Sequence, residues 1–126
     1  MEQVTILAPD ESLRVNTARL RALEEDLGAV QADRVIGRAM EALAVRLART
    51  ERAYSEGDMQ RIAKDARALG GIADQVGLES LARVALDVAG CAAVGDGPAL
   101  AATLMRLQRL GDRSLSAVWD LQGMTV

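Results

Sequence analysis

Apolar residues recur every three or four positions over most of this chain, and this spacing constrains the fold more than any other feature. Such spacing places the side chains on one face of an α-helix. Half of the 126 residues are hydrophobic, and nearly all of these are aliphatic, which favours helices that bury one face in a shared core. The clearest stripe consists of Met59, Ile62, Ala66, Leu69, Ala73 and Val76.

Capping residues and glycines divide the periodic sequence into five predicted helices. The predicted boundaries are Asn16 to about Gly28, Gln31–Asp33 to about Gly57, Asp58 to Gly77, Leu78 to Val94 and Pro98 to about Gln122. Because short loops favour antiparallel neighbours, we expect an all-α fold, an up-down four-helix bundle with a short extra N-terminal helix. The bundle domain is expected to span residues 16–126. Residues 1–15 are expected to form an arm that is either loose or packs as a strand or turn on a neighbour.

The composition argues against several classes of function. The formal net charge is −3 with both signs interspersed, so we expect no nucleic-acid partner. No apolar run approaches the roughly 20 residues that cross a bilayer, and the first residues lack a basic leader, so we expect a cytoplasmic protein without a membrane partner. The chain has no histidine and one cysteine, Cys91, so we expect no metal, no cofactor and no catalytic residues.

Two adjacent glycines, Gly70 and Gly71, interrupt the third helix without breaking its apolar period. Each is expected to cost about 1 kcal/mol relative to alanine in a helix interior. Either the pair bends or ends the helix, or the helix is continuous and Gly71 leaves room for the close approach of another surface. The preserved period favours the second interpretation. The face opposite the apolar stripe carries Gln60, Lys64, Arg67, Gly71 and Asp74, with Gly70 near its boundary.

The segment 66–77, ARALGGIADQVG, resembles the central helix of the histidine-containing phosphotransfer (HPt) family. The positions that match the family pattern are Ala66, Leu69, Gly71, Ala73 and Gly77. Arg67 stands at the position of the phosphate-accepting histidine, and Gly70 at a position usually held by lysine. The turns at Gly57-Asp58 and 95–98 also agree, so the resemblance covers about residues 16–122.

The resemblance implies a non-catalytic signalling protein, because an arginine guanidinium stays protonated and is a poor nucleophile. We expect it to bind a response-regulator receiver domain or a histidine kinase of a two-component phosphorelay without carrying phosphate. Arg67 either enters the carboxylate cluster of a receiver or is an ordinary solvated residue. The predicted docking surface consists of Gln60, Lys64, Arg67, Gly70, Gly71 and Asp74.

An alternative interpretation is a structural helical protein, either a monomer or a homodimer, with no phosphorelay role. In both interpretations the apolar segment at residues 4–7 is a candidate dimer contact. The surroundings of Gly71 discriminate between the two interpretations. Small or apolar residues around Arg67 and Gly71 favour a docking surface, whereas a uniformly charged rim favours the structural protein.

Overall fold

The computed structural model describes residues 4–7 and 12–123. Most residues of this part are helical, which confirms the predicted all-α class. A small hairpin precedes the helices. The elements are β1 (Val4–Leu7), β2 (Ser12–Val15), α1 (Thr17–Leu27), α2 (Ala29–Ser55), α3 (Met59–Gln75), α4 (Glu79–Val94) and α5 (Gly97–Gly123).

The predicted helix caps are confirmed at the starts of α1 and α3. The Asn16 side chain accepts a hydrogen bond from the backbone N–H of Arg19 at 3.2 Å. Asp58 accepts one from the backbone N–H of Arg61 at 3.1 Å. Helix α2 begins slightly earlier than predicted because one residue, Gly28 with φ 80°, both ends α1 and precedes α2.

The N-terminal arm is an antiparallel hairpin, in which Val4 lies opposite Val15 and Leu7 opposite Ser12. Strand β2 was not predicted, because its four residues are too few to show a strand period. Residues 1–3 and 8–11 of the predicted arm lie outside the described residues.

The hairpin is anchored where α3 passes into α4. The backbone N–H of Asn16 donates to the carbonyl oxygen of Gly77 at 2.7 Å, and Val15 forms a β-bridge with Leu78. The backbone N–H of Arg14 donates to the Ser80 hydroxyl at 2.9 Å. The described strands of the arm, at residues 4–7 and 12–15, are therefore attached to the helices.

Helix α3 contacts both α2 and α4, and α5 also contacts both α4 and α2. Helix α1 packs on α2 and contributes no fully buried side chain. Met59, predicted in the α3 stripe, is exposed at the margin of the core. The largest fully buried side chains are Val15, Leu43, Ile62, Leu69, Val76, Leu78, Leu81, Val88, Leu100, Leu107 and Leu110.

In the part of the chain that the structure describes, no helix combines the length and apolarity needed to cross a membrane.

Candidate docking surface on α3

Helix α3 runs without interruption through both glycines, from Met59 to Gln75. The alternative in which the glycine pair ends the helix is therefore wrong. The inner face of α3 is fully buried at Ile62, Ala66 and Leu69, as the apolar period predicted. A continuous helix holds its outer face in a fixed register relative to that core.

The outer face of α3 presents five of the six residues of the predicted docking surface to solvent. These exposed residues are Gln60, Lys64, Arg67, Gly71 and Asp74.

Gly70 differs from the other five because it is buried against α4. A Cβ built there would lie 3.5 Å from the Ala82 carbonyl oxygen, the Ala85 Cβ and the Leu86 Cδ2. These are ordinary van der Waals distances, so α4 covers Gly70 and would also accept an alanine there. Gly70 is thus a helix-packing position that adds no accessible area, and its place in the predicted surface is corrected accordingly.

Gly71 has no neighbour that would require a glycine. A Cβ built at this position meets no heavy atom within 4 Å. Its backbone is helical, and its φ is not positive. Alanine would therefore fit without strain and would favour the helix by about 1 kcal/mol. Neither the packing nor the backbone of the described chain explains why this position lacks a side chain.

Two cations, Lys64 and Arg67, stand beside Gly71 on the exposed face. Among the described residues, neither makes a hydrogen bond or an ion pair. On the inner side of the same helix the situation is the opposite, because the buried Asp65 carboxylate accepts a hydrogen bond from the Arg46 guanidinium at 2.6 Å. The outer cations therefore keep their donors available to another molecule.

The two flanks of the α3 face are apolar. On the α4 side, Leu86 is 58% exposed and borders Gly70, which lies three residues along the helix from Arg67. On the α2 side, Ile72 lines a groove of about 630 Å³ that α1 closes on its far side. The rim around Arg67 and Gly71 is therefore mixed rather than uniformly charged.

Both flanking features were missed from the sequence. Leu86 follows Ala85, on the buried line of α4, and its position one residue off that line is a signal that an apolar side chain points outward. The groove has no comparable local signal, because its walls come from three separate helices.

The outer faces of α2 and α3 are basic although the whole chain is acidic. Residues 34–71 hold eight basic and five acidic side chains, whereas the whole chain holds 15 basic and 18 acidic ones. Neighbouring cations on one face attract an acidic partner and raise its rate of association. The exposed cations without a partner among the described residues on these two helices are Arg34, Arg38, Arg49, Arg52, Lys64 and Arg67.

Comparisons with known proteins do not place the chain in a family. No protein-family model, curated protein or solved structure is significantly similar to it. Its function is therefore argued from its own residues.

Proposed function

We propose that this chain is a non-catalytic, HPt-like signalling protein that binds a receiver domain or a histidine kinase of a two-component phosphorelay through the outer face of α3. The observation that carries the proposal is Gly71, a helical glycine with open space around it, beside the exposed Arg67. An unfilled position on an exposed helix favours the close approach of a second protein.

The arrangement of the helices supports this proposal. We interpret α2, α3, α4 and α5 as the four helices of an HPt-like up-down bundle, and α1 as the short extra helix. In support, α3 contacts α2 and α4, and α5 contacts α4 and α2, which closes a ring of four neighbours. The segment that resembles the family motif lies on α3, whose outer face combines the open Gly71 with cations that have no partner among the described residues.

The charges of the surface also fit a receiver domain as the partner. The phosphorylation site of a receiver is a cluster of carboxylates, and an arginine offers such a cluster several donors in a planar arrangement. Arg67 enters that cluster in our proposal, where it makes charge-assisted hydrogen bonds. Since the chain has no histidine, the imidazole chemistry of phosphotransfer is absent, and the complex acts by occupying the partner.

A titration of the purified protein against the receiver domains of the same cell tests the proposal. We expect at least one receiver to bind, and Arg67→Glu to weaken that binding at least tenfold, which corresponds to about 1.4 kcal/mol. The matched control is Arg109→Glu, an exposed arginine on α5 that has no partner among the described residues. The control makes the same change in net charge, so equal losses for the two variants would rule out a specific role for Arg67.

A second pair of variants tests the open space at Gly71. Gly71→Leu adds a side chain where nothing stands within 4 Å, so the fold is retained while the partner is kept away. We expect this variant to lose receiver binding, with an unchanged circular dichroism spectrum. Ala102→Leu adds a leucine-sized side chain to the exposed face of α5 and should bind as the unmodified protein does.

One observation favours the alternative of a structural homodimer. Helix α5 exposes two large apolar side chains, Met105 at 63% and Trp119 at 76%. Exposed apolar side chains of this size are common at protein interfaces. Sedimentation equilibrium distinguishes the alternatives: a dimer that dissociates in Trp119→Ser, together with no receiver binding, would favour the structural protein.

A further inference from the structure

The groove beside the α3 face is built by the extra helix α1. Its volume is about 630 Å³, and Arg19, Ala22, Leu23 and Asp26 of α1 form one wall. Without α1 the opposite surface, on α2 and α3, would be an open apolar face. The apolar lining consists of Leu23, Val35, Ala39, Ala42, Ile72 and Val76.

Helix α1 is held at both ends, which keeps the groove open. At its start, Asn16 is bonded to Gly77, and the Arg19 guanidinium lies 3.7 Å from the Asp74 carboxylate. At its end, the chain turns directly into α2 through Gly28. Between these points only Leu20 and Leu23 pack against the core, and both are only partly buried. Helix α1 therefore packs on α2 through few side chains and bounds the groove on one side, with α2 and α3 on the other.

The groove is continuous with the proposed docking surface and has a charged mouth. Ile72 and Gln75 line the groove and are neighbours in sequence of Gly71 and Asp74, respectively. On the α2 rim, Arg38 is exposed and makes no ion pair among the described residues. The opposite rim carries Asp26, so an acidic group entering the groove is attracted to the α2 side.

We propose that this groove accepts an apolar side chain of the protein that docks on α3, and that a carboxylate beside that side chain pairs with Arg38. This inference rests on the proposed function, because one partner occupies both the α3 face and the groove. The α3 face recognises the carboxylate cluster that receiver domains share. The groove adds an apolar contact beside that cluster, and α1 supplies one wall of it.

Filling the groove tests this inference. Ala42 is partly buried in the groove lining, and Ala42→Trp occupies the space that the partner side chain needs. We expect this variant to bind its receiver at least tenfold more weakly than the unmodified protein. The control is Ala48→Trp, which places the same side chain on an exposed position of α2 outside the groove and should leave binding unchanged.

A second pair of variants tests the inference without a bulky residue, in case Ala42→Trp disturbs the fold. Arg38→Glu changes an exposed residue at the mouth of the groove, and we expect at least a fivefold loss of binding. Its control is Arg34→Glu, an exposed arginine one turn earlier on α2 that does not line the groove. A loss for Arg38→Glu that clearly exceeds the loss for Arg34→Glu supports the inference.

The outcomes separate this inference from the proposed function. If a receiver binds and depends on Arg67, but Ala42→Trp and Arg38→Glu bind as their controls do, the groove is not used and the inference is overturned. If no receiver binds the unmodified protein, the inference fails, and if no histidine kinase binds it either, the proposed function fails as well.

Discussion

Two glycines of the segment that resembles the HPt motif, Gly71 and Gly77, differ in backbone conformation and in the space around them. Gly77 lies after α3, at the junction with the hairpin, with φ 78°. A Cβ built there would stand 2.6 Å from the Asn16 carbonyl oxygen. Gly71 lies within the helix, with a helical backbone and no heavy atom within 4 Å of a Cβ.

The difference shows which glycine carries information about function. The fold itself requires Gly77, since both its backbone and its neighbour exclude a side chain. Its match to the HPt pattern is therefore explained without any partner. The fold does not require a glycine at Gly71. The functional interpretation of the resemblance therefore depends on that position and on the cations of the same face.

The largest expected effect on stability is at the hairpin junction. We expect Gly77→Ala to lower the free energy of unfolding by about 2–4 kcal/mol, because a left-handed backbone and a steric clash act together. Gly57→Ala is the control, since Gly57 has φ 70° but no heavy atom within 4 Å of a Cβ. It should lose only about 1–2 kcal/mol in urea denaturation. Equal losses would show that Asn16 does not constrain the junction.

The next effect concerns the inner side of α3. Asp65→Asn removes the charge of a buried carboxylate that lies 2.6 Å from the Arg46 guanidinium. We expect a loss of about 1–2 kcal/mol, moderated by the partial exposure of Arg46. A double-mutant cycle with Arg46→Ala measures the coupling. In contrast, Arg67→Ala on the outer side should change stability by less than about 0.5 kcal/mol, and a larger change would mean that Arg67 has a structural role.

A smaller effect of opposite sign is expected at Gly71. Gly71→Ala should raise the free energy of unfolding by about 0.5–1 kcal/mol, because alanine is the better helix former and its Cβ meets nothing. Gly37→Ala in α2 provides a reference, as a Cβ there also has no heavy atom within 4 Å. If the alanine variant is more stable at Gly37 but less stable at Gly71, the fold itself requires a glycine at Gly71. The contrast with Gly77 would then not hold.

The smallest effect is expected for the ion pair that joins α1 to the end of α3. Both Arg19 and Asp74 are largely exposed, and their charged atoms are 3.7 Å apart. Arg19→Ala should therefore lower stability by less than about 0.5 kcal/mol in dilute buffer. The difference should vanish in 1 M salt. A loss above 1 kcal/mol that persists in salt would indicate that Arg19 holds α1 by packing instead.

Much of the helical architecture could be predicted from local sequence signals. The caps Asn16 and Asp58 and the in-phase apolar stripe of α3 act within a few residues, so they can be recognised without knowledge of the fold. The helical period also placed Gly71 on the face opposite the stripe and Gly70 near its boundary, but the burial of Gly70 depends on the packing of α4, which has no local signal. Leu86, which borders the surface, also acquires its position from that packing.

The pairing of β1 with β2 and the groove could not be predicted either, because both depend on contacts between residues that are far apart in sequence. Strand β2 is recognised as a strand only through its partner β1 and through the bridge from Val15 to Leu78, which lies far away in sequence. The groove needs α1 to be placed against α2 and α3. Such long-range contacts leave no periodic trace in a short segment.

The bond between Asn16 and Gly77 also has a consequence for the order of assembly. It joins positions separated by the whole of α1, α2 and α3, so strand β2 can be fixed to the helices only after the turn at 77–78 has been synthesised. Closing so long a stretch of chain carries an entropic penalty that is offset only once its neighbours are in place. The wall that α1 gives to the groove is therefore expected to be completed late, after α2 and α3 have already packed together.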